Sequence, residues 1–473
     1  MRVDRSALEA AFRKLPGVDE ALRLKRVAKI AGQTGRAEVA HLVRRALDGL
    51  RREIAAGVLS AAELEKMLDG DGLASRVVHL FEADSKRGIQ RVINVSGVVL
   101  NTGLGRAPVH PEVAERMAMA ASNFCVLEVD RESGKRNKRD DHLSSLLCRL
   151  TGCEAAIAVN NNAAAVMLYL QTFGQGGEAI VSRGELVEIG GSFRVPDVMT
   201  RAGVQLVEVG TTNRTRIADY RSAITEDTGL LLKVHTSNFK VIGFTEEVQM
   251  EDLAELGLET GIPAIFDLGS GLFEMDGLSP LGEFGDETIV QTAVKSGLDA
   301  ISFSGDKLFG GPQAGLIVGK RKAIDAMRQN PIYRAVRLDK TALAGLEGTL
   351  QLILDGRGDE IPTRRMLRAT QDELRDIADR IAQRIGEMSA FDAEVAADRS
   401  QPGSGSAPDV FLDTWAVRVT SEHYKPDVLA RELRMGEPSV FGRVQGDALI
   451  IDPRTMLDGD EAGLIEAFEE LDR

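Results

Sequence analysis

The apolar positions fall into two regimes. Near the N-terminus, Val39, Leu42, Val43, Ala46, Leu47, Leu50 and Ile54 recur at helical spacing, and Arg44, Arg45, Arg51 and Arg52 fill much of the opposite face. That pattern predicts an amphipathic basic helix. From Ile89 onward, short apolar runs alternate with glycine-rich turns and helix-length segments. The runs are Ala156–Val159, Ala179–Val181, Gln205–Val209, Gly229–Val234, Pro263–Asp267 and Ala300–Ser304. Each suits a buried strand, and their alternation with helices predicts an α/β domain built on a mainly parallel sheet. Ala155–Gly177 carries no charge and is long enough to span a bilayer. Asn160, Asn161 and Asn162 inside it, and Gly174, Gly176 and Gly177 at its end, favour a buried strand, a polar turn and a buried helix instead. Further on, the pattern predicts a long charged helix over Thr363–Met388 and a flexible loop over Gln401–Pro408. Strands at Trp415–Thr420 and Ala448–Ile451 and a closing helix over Glu461–Leu471 follow. We expect three domains: a helical 1–88, a large α/β 89–345 and a smaller α+β 346–473.

Charge sharpens the first domain. The 473-residue chain has a formal charge of −14, yet residues 1–60 hold 13 Lys/Arg against 7 Asp/Glu. A uniformly basic nucleic-acid coat is excluded, whereas a local basic patch is present. Its helix fits either a polyanionic partner or a solvated face with no partner. Cys125, Cys148 and Cys153 form no Cys-x-x-Cys pair, so neither a disulfide framework nor a structural zinc site is expected. Met1–Ser6 lacks an apolar signal core, and the expected location is cytoplasmic.

Three segments carry candidate chemistry. Val159–Ala165 runs from a strand end into an alanine-rich helix, where free N–H groups suit a phosphate; a simple Asn N-cap is the alternative. In Ile265–Gly271, Asp267 ends an apolar strand, where α/β sheets bind ligands; a metal ligand, a helix cap or a partner for a ring nitrogen all fit. In Ile301–Pro312, Lys307 follows a buried strand and precedes Gly310-Gly311. A partly buried lysine there can form a Schiff base; a surface lysine is the alternative. A phosphate loop, an Asp and then a Lys, in that order, are what a pyridoxal-phosphate enzyme of aminotransferase-like fold (fold type I) requires.

The resemblance then becomes close. Ile93-Asn94-Val95-Ser96-Gly97-Val98-Val99-Leu100-Asn101-Thr102-Gly103-Leu104-Gly105-Arg106 resembles the opening motif of the bacterial selenocysteine synthases (L-seryl-tRNA(Sec) selenium transferases). So do Val159–Ala165, Gly190–Met199, Val234–Phe239, Ser304–Pro312, Tyr333–Lys340 and the Leu15–Asp19 start. Two departures stand out. Asn101-Thr102-Gly103 replaces the family's His-Thr-Asn, and Arg136-Asn137-Lys138-Arg139 replaces its Arg-Gly-x-Arg.

The resemblance implies pyridoxal 5'-phosphate held on Lys307, with Asp267 on the ring nitrogen and Asn161, Asn162, Ala163 and Ser304 around the phosphate. It implies Arg106, Arg334 and Arg337 on the anionic selenium donor, selenophosphate, although an ion pair also suits Arg334 and Arg337. Asn238 joins the substrate site, and Asp306 is a candidate donor of the proton that the departing hydroxyl needs. The implied reaction turns seryl-tRNA(Sec) into selenocysteinyl-tRNA(Sec). Arg44, Arg45, Arg51 and Arg52 are the expected tRNA contacts, no membrane is involved, and a homo-oligomer built from dimers is expected. The rivals are a pyridoxal-phosphate lyase acting on a small phosphorylated amino compound, and a catalytically silent tRNA-binding protein.

Overall fold

A computed structural model describes residues 12–56, 61–69, 71–85, 88–189, 193–274, 287–403, 407 and 410–472. Gly190, Gly191 and Ser192 of the matching motif, and Ser404, Gly405, Ser406 and Pro408 of the expected loop, lie outside the described residues. The chain separates into two compact units, Met1–Arg91 and Val92–Arg473.

The first unit is helical. Helix α1 (Arg36–Ala55) buries Val39, Leu42, Val43, Ala46, Leu47, Leu50 and Ile54, the stripe that the spacing predicts. Val27 and Ile30 from helix Lys25–Thr34, and Leu73 and Val77 from helix Gly72–Ser85, complete this core. Gly35 at φ 98° separates helix Lys25–Thr34 from α1, a conformation that favours glycine.

The second unit is built on a seven-stranded sheet. Its strands are β1 (Ala155–Val159), β2 (Glu178–Ser182), β3 (Gln205–Val209), β4 (Thr228–Val234), β5 (Ala264–Gly269), β6 (Ala300–Ser304) and β7 (Gly315–Gly319). The spatial order is β1-β7-β6-β5-β4-β2-β3, with β7 antiparallel to both neighbours and the other pairs parallel. All six expected strands are present. β7 is the seventh, and its apolar run Gly315–Gly319 closes a short hairpin after the Lys307 turn. The strands of a sheet covered on both faces bury nearly every side chain, which explains their unbroken apolar runs.

A second, antiparallel sheet contains β8 (Asp392–Ser400), β9 (Leu412–Thr420), β10 (Arg443–Gln445) and β11 (Ala448–Ile451), in the order β8-β9-β11-β10. The expected 345/346 border falls inside helix Lys340–Leu354, because Leu343, Leu346 and Leu350 are buried in the core of the large sheet. The single helix expected over Thr363–Met388 is two helices, Pro362–Arg368 and Gln371–Gly386. Thr370 caps the second, its hydroxyl accepting the Glu373 N–H while Glu373 accepts the Thr370 N–H.

The opening motif is divided between the two sheets. Ile93–Asn94 pairs in parallel with Val440–Phe441, beside the small sheet. Buried Asp452 accepts hydrogen bonds from Ser400, Thr414 and the Arg454 N–H, and a Cβ on Gly97 would lie 2.2 Å from its Oδ2. The second half of the motif leads to the large sheet's functional edge.

Candidate active site

The carboxyl ends of β5 and β6 place a carboxylate and an amine in one buried cluster. Asp267 and Lys307 are each 6 % exposed. Asp267 lies opposite Ser302 in the β5–β6 register. Its Oδ1 accepts two hydrogen bonds, from Asn162 Nδ2 at 2.7 Å and from Ser302 Oγ at 3.1 Å. Burial pushes the Asp267 carboxyl above its ordinary range, opposed by these two donors and by the charge of Lys307. Burial pushes the Lys307 amine down, opposed by the charge of Asp267. A lysine held in this way loses its proton more readily than a surface lysine.

The turn that presents Lys307 is tight. Gly310 N–H donates to Lys307 C=O, Gly311 N–H to Gly305 C=O, and Leu308 N–H to Ser270 C=O at the end of β5. Ser304, which ends β6, is buried.

The asparagine turn divides its labour. Asn161 is the N-cap of helix α2 (Asn162–Tyr169), its side chain accepting the Ala164 N–H. The Asn162 and Ala163 N–H groups precede the first intrahelical bond, from Ala165 N–H to Asn161 C=O, so they remain open to an anion. The Asn161 side chain is thus the cap rather than a phosphate contact, and the Asn162 amide is directed at Asp267. What these two residues and Ala163 offer a phosphate is backbone. Gly315 lets β7 pass this turn, since a Cβ there would lie 2.2 Å from Asn161 O.

These features fit pyridoxal phosphate: a buried lysine, a carboxylate for the ring nitrogen one strand away, and free helix N–H groups at the same sheet edge.

Arginines border the cluster. Arg106 sits at φ 63° after a turn capped by Asn101, whose side chain accepts the Gly103 N–H. From this strained position Arg106 Nη1 donates to Asp306 Oδ2 at 2.8 Å. Asp306 is therefore a partner of Arg106, which weakens the expectation that it protonates a leaving group. Arg334 is exposed on helix Pro331–Val336, and Arg337 lies just past its end in extended backbone, so the two do not share a helical face. Arg337 Nη1 is 3.5 Å from Glu128 Oε1, the alternative ion pair, while its Nε is buried without a hydrogen-bond partner among the described residues. Glu128 also binds Arg136 and Arg139, which gives that departing segment a shared acidic anchor. Asn238 is exposed, and its Nδ2 donates to Glu188 C=O, so its amide clips a loop. In the first unit Arg44, Arg51 and Arg52 are exposed, Arg51 pairing with Asp48, whereas Arg45 is half-buried and bonded to Asp84.

Sequence reasoning missed three members of the cluster: Ser302, His235 and Glu287. Ser302 was readable, because it shares a strand face with Ser304 two residues on. His235 follows β4, and its N–H donates to Asp267 C=O. Its Nε2 is 3.3 Å from Glu287 Oε2. Both line a cavity of about 570 Å³ whose walls include Thr211, Thr236 and Lys233. No spacing in the sequence links Glu287 to β4.

The comparisons bear on this geometry. The sequence model of the family described as L-seryl-tRNA selenium transferase matches residues 92–457, and that described as selenocysteine synthase N terminal matches residues 12–51. The L-seryl-tRNA(Sec) selenium transferase of Caldanaerobacter subterraneus subsp. tengcongensis is 42 % identical over 467 residues, covering 98 % of this chain and 99 % of the relative. That of Geobacter sulfurreducens is 45 % identical over 464 residues, covering 97 % and 99 %. Among solved structures, a D-glucosaminate-6-phosphate ammonia-lyase superposes with a TM-score of 0.56 at 22 % identity, covering 82 % of this chain and 98 % of the lyase; that likeness speaks to the fold alone. With both family models matched and near-complete alignment to such relatives, the chain belongs to the L-seryl-tRNA selenium transferase family.

Proposed function

We propose that this chain converts seryl-tRNA(Sec) to selenocysteinyl-tRNA(Sec) with selenophosphate as the selenium donor. The observation that carries the reading is the buried Lys307–Asp267 cluster with Arg106 at its border, in a chain whose relatives are selenium transferases. Pyridoxal phosphate bound there supplies an electron sink for the bonds at the seryl α-carbon. Lys307 holds the cofactor and moves the α-proton. Asp267, its Oδ1 fixed by Asn162 and Ser302, would pair with the cofactor's ring nitrogen. The Asn162 and Ala163 N–H groups and Ser304 receive the phosphate. Arg106, Arg334 and Arg337 receive the donor's anion, for which a planar guanidinium fork is suited.

The N-terminal unit binds the tRNA through Arg44, Arg51 and Arg52. Arg45 belongs to the unit's own framework. A separate basic module is what an enzyme of net charge −14 needs in order to hold a polyanion. Among the described residues no helix is long and apolar enough to cross a membrane, and we place the enzyme in the cytoplasm, with its aminoacylated tRNA. Exposed Phe124, Ile242 and Phe244 support a homo-oligomer built from dimers.

The test is direct. Purified protein, seryl-tRNA(Sec), selenophosphate and pyridoxal phosphate are incubated and assayed for selenocysteinyl-tRNA, with a phosphorylated amino sugar in a parallel arm. Cofactor-loaded protein that forms no selenocysteinyl-tRNA overturns the reading, and turnover of the sugar alone establishes the lyase.

A further inference from the structure

The loss of water from a seryl group leaves one role unfilled. Hydroxide departs slowly unless it is protonated as it leaves, and Asp306 is committed to Arg106 at 2.8 Å. The described cluster around Lys307 holds one other side chain suited to this work near neutral pH, His235.

We propose that His235 is the acid that protonates the departing β-hydroxyl, and that Glu287 is its positioning residue. His235 is anchored at the end of β4 by its N–H bond to Asp267 C=O. Its Nε2 faces Glu287 Oε2 at 3.3 Å. The Glu287 side chain is 3 % exposed and that of His235 is 20 % exposed. Burial pushes the Glu287 carboxyl up, but its hydrogen bond to His235 and the charges of His235 and Lys307 outweigh burial and hold it below its ordinary range. A buried carboxylate so held orients the imidazole. With Nε2 on Glu287, the ring presents Nδ1 as its second donor, on a residue that lines the 570 Å³ cavity. Glu287 and Asp267, at the end of β5, interact with the charge of His235, and Lys307 acts on both carboxylates; Lys233, Glu246 and Glu247 line the same cavity.

The step balances. The α-proton passes to Lys307, and the electron pair of the Cα–H bond becomes the second bond between Cα and Cβ. The Cβ–O bond breaks with its pair on oxygen, and the proton from His235 completes a water molecule. No oxidant or reductant is required.

The role rests on the function proposed above, and its test separates the two. The holoenzyme and its His235→Ala variant are each given seryl-tRNA(Sec) and the same tRNA acylated with β-chloroalanine. Chloride leaves without a proton, so a lost acid affects only the seryl substrate. His235→Ala is expected to lose about 100-fold or more on seryl-tRNA, the usual scale of general acid catalysis, and to keep the β-chloroalanyl rate within about threefold. Added imidazole should restore part of the seryl rate, and Glu287→Gln should show a smaller loss confined to the same substrate. Equal loss on both substrates, loss on neither, or release of the cofactor by His235→Ala overturns the role. An unmodified enzyme inactive on both tRNAs overturns the function proposed above and this role with it.

Discussion

Replacing Asn162 with Ala tests the division of labour at the start of helix α2. The Asn162 amide donates to Asp267 Oδ1 at 2.7 Å, and Asp267 is 6 % exposed, so solvent cannot replace the lost donor. A hydrogen bond to a buried charged group contributes about 1.5–3 kcal/mol, equivalent to about 10- to 150-fold in an equilibrium constant. The same loss raises the Asp267 carboxyl further, because the Asn162 donor is one of the groups that oppose its burial. Two features pull the expectation toward the lower end. Ser302 still donates to the same oxygen at 3.1 Å, and truncation also removes Asn162 Oδ1, which is buried without a hydrogen-bond partner among the described residues. We therefore expect cofactor affinity to fall about tenfold.

The assay is equilibrium titration of the apo protein, followed by cofactor absorbance, with pyridoxal phosphate and with 5-deoxypyridoxal, which has the ring and aldehyde but no phosphate. If Asn162 acts by holding Asp267, both ligands weaken by the same factor. A tenfold loss confined to pyridoxal phosphate would make the Asn162 amide a phosphate ligand and refute the assignment drawn from the 2.7 Å bond. A Ser302→Ala variant should show a smaller loss, and the double variant should deviate from additivity because both donors share one oxygen.

Further outcomes are expected. Borohydride should fix the cofactor to Lys307, read as a peptide adduct by mass spectrometry, and the pH midpoint of cofactor uptake should lie below the ordinary lysine range. Asp267→Asn removes the charge that opposes the downward shift of Lys307, so the midpoint should move to still lower pH; a rise contradicts this sign. Replacing Arg44, Arg51 and Arg52 with Gln should reduce the salt slope of tRNA binding by about 0.9 for each duplex phosphate no longer neutralised, whereas Arg45→Gln, which breaks the Asp84 pair, should lower thermal stability and leave the slope unchanged. Gly97→Ala places a methyl 2.2 Å from Asp452 Oδ2 at φ 74° and should destabilise the enzyme by more than about 1 kcal/mol in chemical denaturation.

How much of this was legible follows from what each signal depends on. Strand positions depend on unbroken apolar runs, so six of the seven strands of the large sheet were readable, as was the Lys307 turn. The order of phosphate loop, Asp and Lys depends on chain direction and parallel pairing, and it pointed to a cofactor before any geometry was known. The break at Ala369-Thr370 was also readable: Thr370 and Glu373 have capping-box spacing, but the charged helical pattern on either side masked it. Side-chain partners depend instead on register between strands distant in sequence. Asn162 looked like a phosphate residue because its neighbours are. Only the placement of α2 beside β5, 105 residues later, turns its amide toward Asp267. Arg334 and Arg337 are three residues apart, a helical spacing, but helix Pro331–Val336 ends between them. Glu287 had no local signal, since its partner lies 52 residues earlier, just past the end of β4. Residues that act through their own backbone or through the end of a strand can therefore be read from sequence. A buried carboxylate that orients another side chain emerges only once the sheet has brought the two together.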